Sequence, residues 1–141
     1  MRNLCLILLL LAAPLQAEKK VIAPPEFPKG APYSPGILSD GTLYIAGQVG
    51  QDLKTRQIPT DFEAEVKTTF TNIALVLKAA GMDFKDVVSV QVYLTDMDLF
   101  QRMNAVYTTY FPEPRPARTT VGITKLAAPG ARIEITVTAR K

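Results

Sequence analysis

Two charged residues stand inside extended runs near the end of the chain. Arg118 lies in Pro116-Ala117-Arg118-Thr119-Thr120-Val121, and Glu134 lies in Arg132-Ile133-Glu134-Ile135. Each stands between apolar or neutral neighbours, Ala117 and Thr119 for Arg118, Ile133 and Ile135 for Glu134. Burying a charge costs free energy unless a partner or a ligand meets it. Arg118 and Glu134 are therefore expected to carry the chemistry, and the remaining elements to present them.

The composition narrows what that chemistry can be. The chain has no histidine and a single cysteine. This removes histidine-based triads and general bases, thiol redox pairs and Cys/His zinc sites. Acid and base work falls to Asp, Glu, Tyr, Lys or water. The formal charge of +3 is spread without a Lys/Arg block, which reads as a solvated surface and not as a nucleic-acid footprint. At 141 residues the chain is long enough for one domain that buries roughly two thirds of its unfolded surface, so it needs no disulfide or metal to fold.

Residues 1–17 have the three-part form of a secretory signal peptide. Met1-Arg2-Asn3 is a short positive start, Leu4 to Pro14 is almost wholly apolar, and Leu15-Gln16-Ala17 ends on a small residue. Cleavage is expected after Ala17, with an uncleaved anchor as the alternative. The mature domain, residues 18–141, then loses Cys5. A cysteine-free domain suits an oxidising compartment, periplasmic or extracellular, with no stable membrane insertion.

The body reads as alternating short strands and two helices. Residues 18–36 hold five prolines and are expected to be extended and poor in regular hydrogen bonding. Strands are predicted at 36–39 and 42–46 around Asp40-Gly41, a hairpin signal because both residues tolerate positive φ. Thr60 with Glu63 reads as a capping box opening a helix that carries Phe62, Val66, Phe70, Ile73, Leu77 and Ala80 on one face and stops at Gly81. A strand follows at 86–94, with Val88, Val90, Val92 and Leu94 on one side and Ser89, Gln91 and Tyr93 on the other. A second helix covers about 97–110, and strands follow at 117–124 and 132–140. Tyr33 reads on pattern as a packing residue. Asn104, mid-helix, is either simply exposed or recruited to a site.

The order β-β-α-β-α-β-β is that of an α+β sandwich with a mostly antiparallel sheet and two helices on one face. The opposite face is read as carrying Ser89, Gln91, Tyr93, Arg118, Glu134, Thr136 and Thr138. Such a face is too polar for a monomer core and too amphipathic to be simply wet, which points to a homo-oligomer.

Five motifs in order now make the chain similar to a known family: Tyr33-Ser34-Pro35, Leu43-Tyr44-Ile45-Ala46-Gly47-Gln48, Asn104-Ala105-Val106-Tyr107, Pro116 to Val121, and Ile133-Glu134-Ile135. They resemble the RidA, or YjgF-type, reactive-intermediate deaminases. The resemblance implies a Bacillus chorismate mutase-like fold, a homotrimer and ligand clefts between subunits. It implies hydrolysis of 2-imino acids and 2-aminoacrylate-type enamines to 2-keto acids and ammonia, with no cofactor. By position, Arg118 matches the carboxylate-binding arginine, and Glu134 matches the glutamate that positions water. Tyr33 and Asn104 match cleft-lining residues, and Gly47 matches a glycine whose backbone borders the ligand. Ala46 stands where the family commonly has serine, and Thr120 where it often has cysteine, so both are substrate-side positions that depart from it.

Other readings use the same residues. A non-catalytic module binding small carboxylates would need Arg118 and Tyr33 but no proton chemistry at Glu134. An RNA-acting or chaperone role is the remaining alternative, weighed down by the modest, dispersed charge.

Overall fold

The structure, a computed structural model, describes residues 18–141. The expected leader, residues 1–17, lies outside the described residues. The elements are β1 (Lys20–Ile22), β2 (Gly36–Ser39), β3 (Thr42–Val49), α1 (Phe62–Ala79), β4 (Val87–Leu94), α2 (Phe100–Tyr110), β5 (Ala117–Gly122) and β6 (Ile133–Arg140). They form one sheet in the order β1-β2-β3-β6-β4-β5. Every pairing is antiparallel except β4 with β5. This is the α+β arrangement expected from the periodicity.

Local chemistry explains most of the boundaries. Ser39 pairs with Thr42 across a two-residue loop, and Asp40 and Gly41 both take positive φ, 48° and 69°. That is the primed turn whose twist matches the flanking strands. On α1, Phe62, Val66, Phe70, Ile73 and Leu77 are buried as their spacing requires. Asp96 accepts from the Asp98 N–H and opens a 3₁₀ turn, Met97–Leu99, that feeds α2. Phe70, Tyr107, Tyr110 and Phe111 close the seam between the helices, the Phe70 and Tyr110 rings stacking at 4.3 Å.

Four expectations are corrected. A short strand, β1, lies in the proline-rich lead-in, because residues 20–22 precede its first proline and are free to pair with β2. The cap of α1 is Asp61, not Thr60: its carboxylate accepts from the Ala64 N–H at 2.8 Å. Glu63 is drawn away from any capping role by Arg102, whose Nε lies 2.7 Å from it. In β4 the register shifts between Val87 and Ser89, so Val87 is buried and Val88 is exposed.

The fourth correction bears on function. Arg118 does not share a face with Glu134. In the parallel register Arg118 lies beside Val90 and Thr120 beside Val92, both core positions. The Arg118 guanidinium sits over the Tyr107 ring of α2 at 4.5 Å and near the Phe100 ring at 5.8 Å. Thr119 and Val121 take the open face instead. β5 is an edge strand whose helix-side residues Arg118 and Thr120 are only partly buried, so these positions admit polar residues. Alternation alone could not say which set pointed where.

The open face is amphipathic as expected. One row runs across all six strands: Val21, Ile37, Tyr44, Thr138, Ser89, Ala117. Val21 and Tyr44 are more than half exposed there.

A buried ion pair joins α1 to β6. Glu65 is fully buried, and its carboxylate accepts from the backbone N–H and the Nε of Arg132, each at 2.6 Å. The same guanidinium donates to the carbonyls of Pro59 and Thr60. Losing one partner of such a pair strands the other. Glu65→Ala is expected to lower stability by about 3 kcal/mol in denaturant titration, and Arg132→Met on top of it to add far less than its own single cost. Full additivity of the two changes would refute the coupling.

Candidate functional site

The open face holds the first cleft. Glu134 projects from β6 between Tyr93 on β4 and Val49 on β3. Beside it β3 carries an irregularity between Ile45 and Gln48, which brings Ala46 and Gly47 against the carboxylate. A Cβ on Gly47 would lie 2.0 Å from a Glu134 carboxylate oxygen. Only glycine leaves that oxygen its place, so Gly47 serves the glutamate directly. Tyr33, Ala46, Gly47, Gln51, Arg56 and Glu134 line a cleft of about 430 Å³. Tyr33 is 60% exposed in the single chain and lines this cleft, so it is not part of the chain's own core.

Burial pushes the Glu134 carboxyl above its ordinary value, desolvation being the cause. No hydrogen bond or cation within ion-pair distance offsets it among the described residues.

A second cleft, about 270 Å³, lies at the far edge of the sheet, on the helix side. Asn104, Tyr107 and Thr108 of α2 line it, with Arg115, Pro116 and Arg118. Arg118 and Asn104 are thus brought together, one turn of helix against the edge strand. The guanidinium rests on the Tyr107 ring and donates to no carboxylate among the described residues. Two buried hydroxyls on this side of the sheet, Tyr107 Oη and Thr120 Oγ1, have no hydrogen-bond partner among the described residues. Burial raises the Tyr107 hydroxyl above its ordinary value, against the pull of the Arg118 and Arg115 charges.

The expected site residues therefore fall into two groups. Tyr33, Ala46, Gly47 and Glu134 meet in one cleft, and Asn104 and Arg118 in another, with Thr120 on the same face of β5 as Arg118. The sheet itself stands between them. Within one chain Arg118 and Glu134 cannot meet.

Several supporting residues escaped the sequence reading. Asn72, buried on α1, donates to the carbonyls of Val49 at 3.1 Å and Gln51 at 3.0 Å, tying the end of β3 to the helix. A buried polar residue on an otherwise apolar helix face was its signal. Glu65 carried the same signal, and Arg132 sat two residues before Glu134. Gln51 and Arg56 lay in a loop with no periodicity to mark them. Among the described residues no group of three or more His, Cys, Asp or Glu is placed to hold a metal ion.

The family described as Endoribonuclease L-PSP matches residues 25–141. The chain belongs to this family, that of the RidA and YjgF proteins. A 2-iminobutanoate/2-iminopropanoate deaminase of Bos taurus is 40% identical over 119 residues, 83% of this chain and 86% of that one. A RutC family protein of Pyrococcus horikoshii is 42% identical over 110 residues, 77% of this chain and 87% of that one. Among solved structures, the YjgF gene product of E. coli superposes with a TM-score of 0.80 at 29% identity, covering 86% of this chain and 98% of that one. RidA from an Antarctic Psychrobacter superposes at 0.77 with 33% identity, covering 85% and 94%. The family membership and the chorismate mutase-like fold expected from the five motifs both hold.

The environment of Glu134 has a consequence for stability. Its folded-state pKa lies above its unfolded value, so its contribution favours the folded state below the unfolded pKa. That contribution is lost as pH rises through the folded pKa. Glu134→Gln is expected to be more stable than the wild-type chain near pH 7 and indistinguishable from it at about pH 3 in denaturant titrations. A variant that is less stable at neutral pH would contradict an unpaired, desolvated carboxylate.

Proposed function

We propose that the protein is a hydrolytic deaminase of 2-imino acids, converting them and their enamine precursors to 2-keto acids and ammonia. We further propose that its site is completed by a second copy, in a homotrimer. The observation that carries this is the separation of Arg118 and Glu134 onto opposite faces of one sheet. Each cleft holds half of what imine hydrolysis needs, and a neighbouring copy docked on the open face would supply the other half. The cow relative's name supports the reaction, and the amphipathic open face supports the assembly.

In the joined site, Arg118 of one subunit binds the substrate carboxylate through two parallel hydrogen bonds. Its seat on the Tyr107 ring keeps the fork oriented, and Asn104 lines the same wall. The imine carbon then lies near Glu134 of the other subunit. Glu134 takes a proton from water as the oxygen adds to the C=N carbon and returns it to the nitrogen, giving a carbinolamine; it then takes the hydroxyl proton as the C=O bond forms and passes it to the nitrogen, so that the C–N bond breaks and ammonia leaves. A raised pKa suits both halves of that exchange. Tyr33, Ala46 and Gly47 shape the cleft. Holding substrate and water together accounts for much of the rate.

A non-catalytic carboxylate binder would use Arg118 in the same way, and Glu134→Gln separates the two readings. On the deaminase reading, 2-iminopropanoate generated in situ decays faster with the protein. Arg118→Ala and Glu134→Gln each cut that gain at least about a hundredfold, with Glu134→Gln still binding keto acid. Equal turnover by Glu134→Gln would leave only the binder. If the site is shared, mixing refolded Arg118→Ala and Glu134→Gln subunits restores activity at about one quarter of the sites, since random partners pair an intact Arg118 with an intact Glu134 that often. No recovery on mixing would refute a site shared between Arg118 and Glu134 of two copies.

Export is part of this proposal. The described domain begins its first strand at Lys20, so a chain starting at Glu18 keeps every element. N-terminal sequencing of protein from a periplasmic or secreted fraction is expected to begin at Glu18, and a start at Met1 would refute cleavage.

A further inference from the structure

We propose that Arg56 is a second anion-binding residue of the Glu134 cleft, and that it selects 2-imino acids whose side chain ends in a carboxylate. The chemical step rests on the deaminase reading, whereas the ligand preference rests only on the shared site that reading describes.

Arg56 takes a left-handed backbone, φ 62°, a conformation that side chains with a Cβ adopt at some cost. Glycine would sit there without strain, so a long cation in that position asks for a reason. The backbone is held firmly. Its N–H donates to the Asp52 carbonyl at 2.9 Å, and its carbonyl accepts from the Gln51 side-chain amide at 2.8 Å. Asp52 in turn accepts from the N–H groups of Lys54 and Thr55, and its own N–H donates to the Gln57 carbonyl. Asn72 pins the start of this loop through Gln51. The loop is therefore a fixed mount on the wall of the cleft that Tyr33 and Glu134 also line.

The guanidinium on that mount is free. Among the described residues every other arginine has a partner: Arg102 meets Glu63, Arg115 meets Glu113, Arg132 meets Glu65, Arg140 meets Thr42, and Arg118 rests on aromatic rings. Arg56 has none, although Glu134 lines the same cleft. Ala46, Ala127 and Ala128, whose side chains are single methyl groups, line the same cleft.

A substrate whose α-carboxylate is held by Arg118 of the neighbouring copy, with its imine carbon at Glu134, sends its side chain toward this wall. A neutral alkyl side chain gives Arg56 nothing to bind. A carboxylate one or two carbons out gives it a charge-assisted, two-pronged partner. The fitting substrates are 2-iminosuccinate and 2-iminoglutarate. Water adds to their C=N carbon, the C–N bond breaks, ammonia leaves and a 2-oxo dicarboxylate remains, with nothing oxidised or reduced.

The test measures binding and turnover separately on the full assembled protein. By titration calorimetry, 2-oxoglutarate is expected to bind about tenfold or more tightly than 2-oxobutanoate. Arg56→Gly relieves the left-handed backbone and keeps the loop, and is expected to weaken 2-oxoglutarate at least about fivefold more than 2-oxobutanoate, with Arg56→Lys in between. Equal affinities in the wild type, or a preference untouched in Arg56→Gly, overturns the assignment. Imines generated by oxidase action on aspartate and on alanine supply the second arm. Turnover of both with no loss of preference in Arg56→Gly also overturns it. A binding preference without turnover of either imine sinks the deaminase reading and leaves Arg56 as the ligand-selecting residue.

Discussion

A strand residue can face only one of two sides, and that constraint governs this protein. Glu134 is fixed to the open side because Ile133 and Ile135 must fill the core. Arg118 is fixed to the helix side because its register with Val90 allows nothing else. No side-chain rotation moves a residue through a hydrogen-bonded sheet, and a register slip would expose the whole core set of the strand. On the proposed reading, dependence on a second copy therefore follows from strand parity. A loop could be lengthened to bridge two residues, but the two sides of a sheet cannot be joined from within.

Around this constraint the polar core residues have a common task. Glu65 grips Arg132, just ahead of Glu134 on β6. Asn72 grips the end of β3, just beyond Gly47. Both come from α1, one on each side of the Glu134 cleft. The helix that covers the core thus also fixes the two strands that shape the cleft. Gly47 completes the arrangement by leaving the carboxylate its space.

The periodic features were readable from the sequence and the non-periodic ones were not. The Asp40-Gly41 hairpin, the apolar stripe of α1 and the alternation of β6 each repeat a local rule, so each appeared in advance. Asp61 displaced Thr60 as a cap because both are competent and Arg102, distant in sequence, removed Glu63 from the choice. Val88 turned outward because a bulge breaks period two without a residue that announces it. Arg118 was placed on the wrong side for a related reason. Its strand has polar residues on one side and mixed residues on the other, and only the partner strand decides which is inside. Arg56 was invisible because a loop's geometry, not its composition, aims a side chain.

The distribution of charge follows from the same separation. Were Arg118 beside Glu134 in one chain, the cation would hold the carboxylate ionised and lower its pKa. The glutamate would then be a poor acceptor for a proton from water. With the arginine on the other side of the sheet, desolvation acts on Glu134 unopposed. On the proposed reading, two copies meet around a substrate whose own carboxylate faces Arg118 and screens the guanidinium from Glu134. An anionic ligand is then a structural member of the site as well as its reactant. It allows a fully charged arginine and a reluctant carboxylate to share one cleft without neutralising each other.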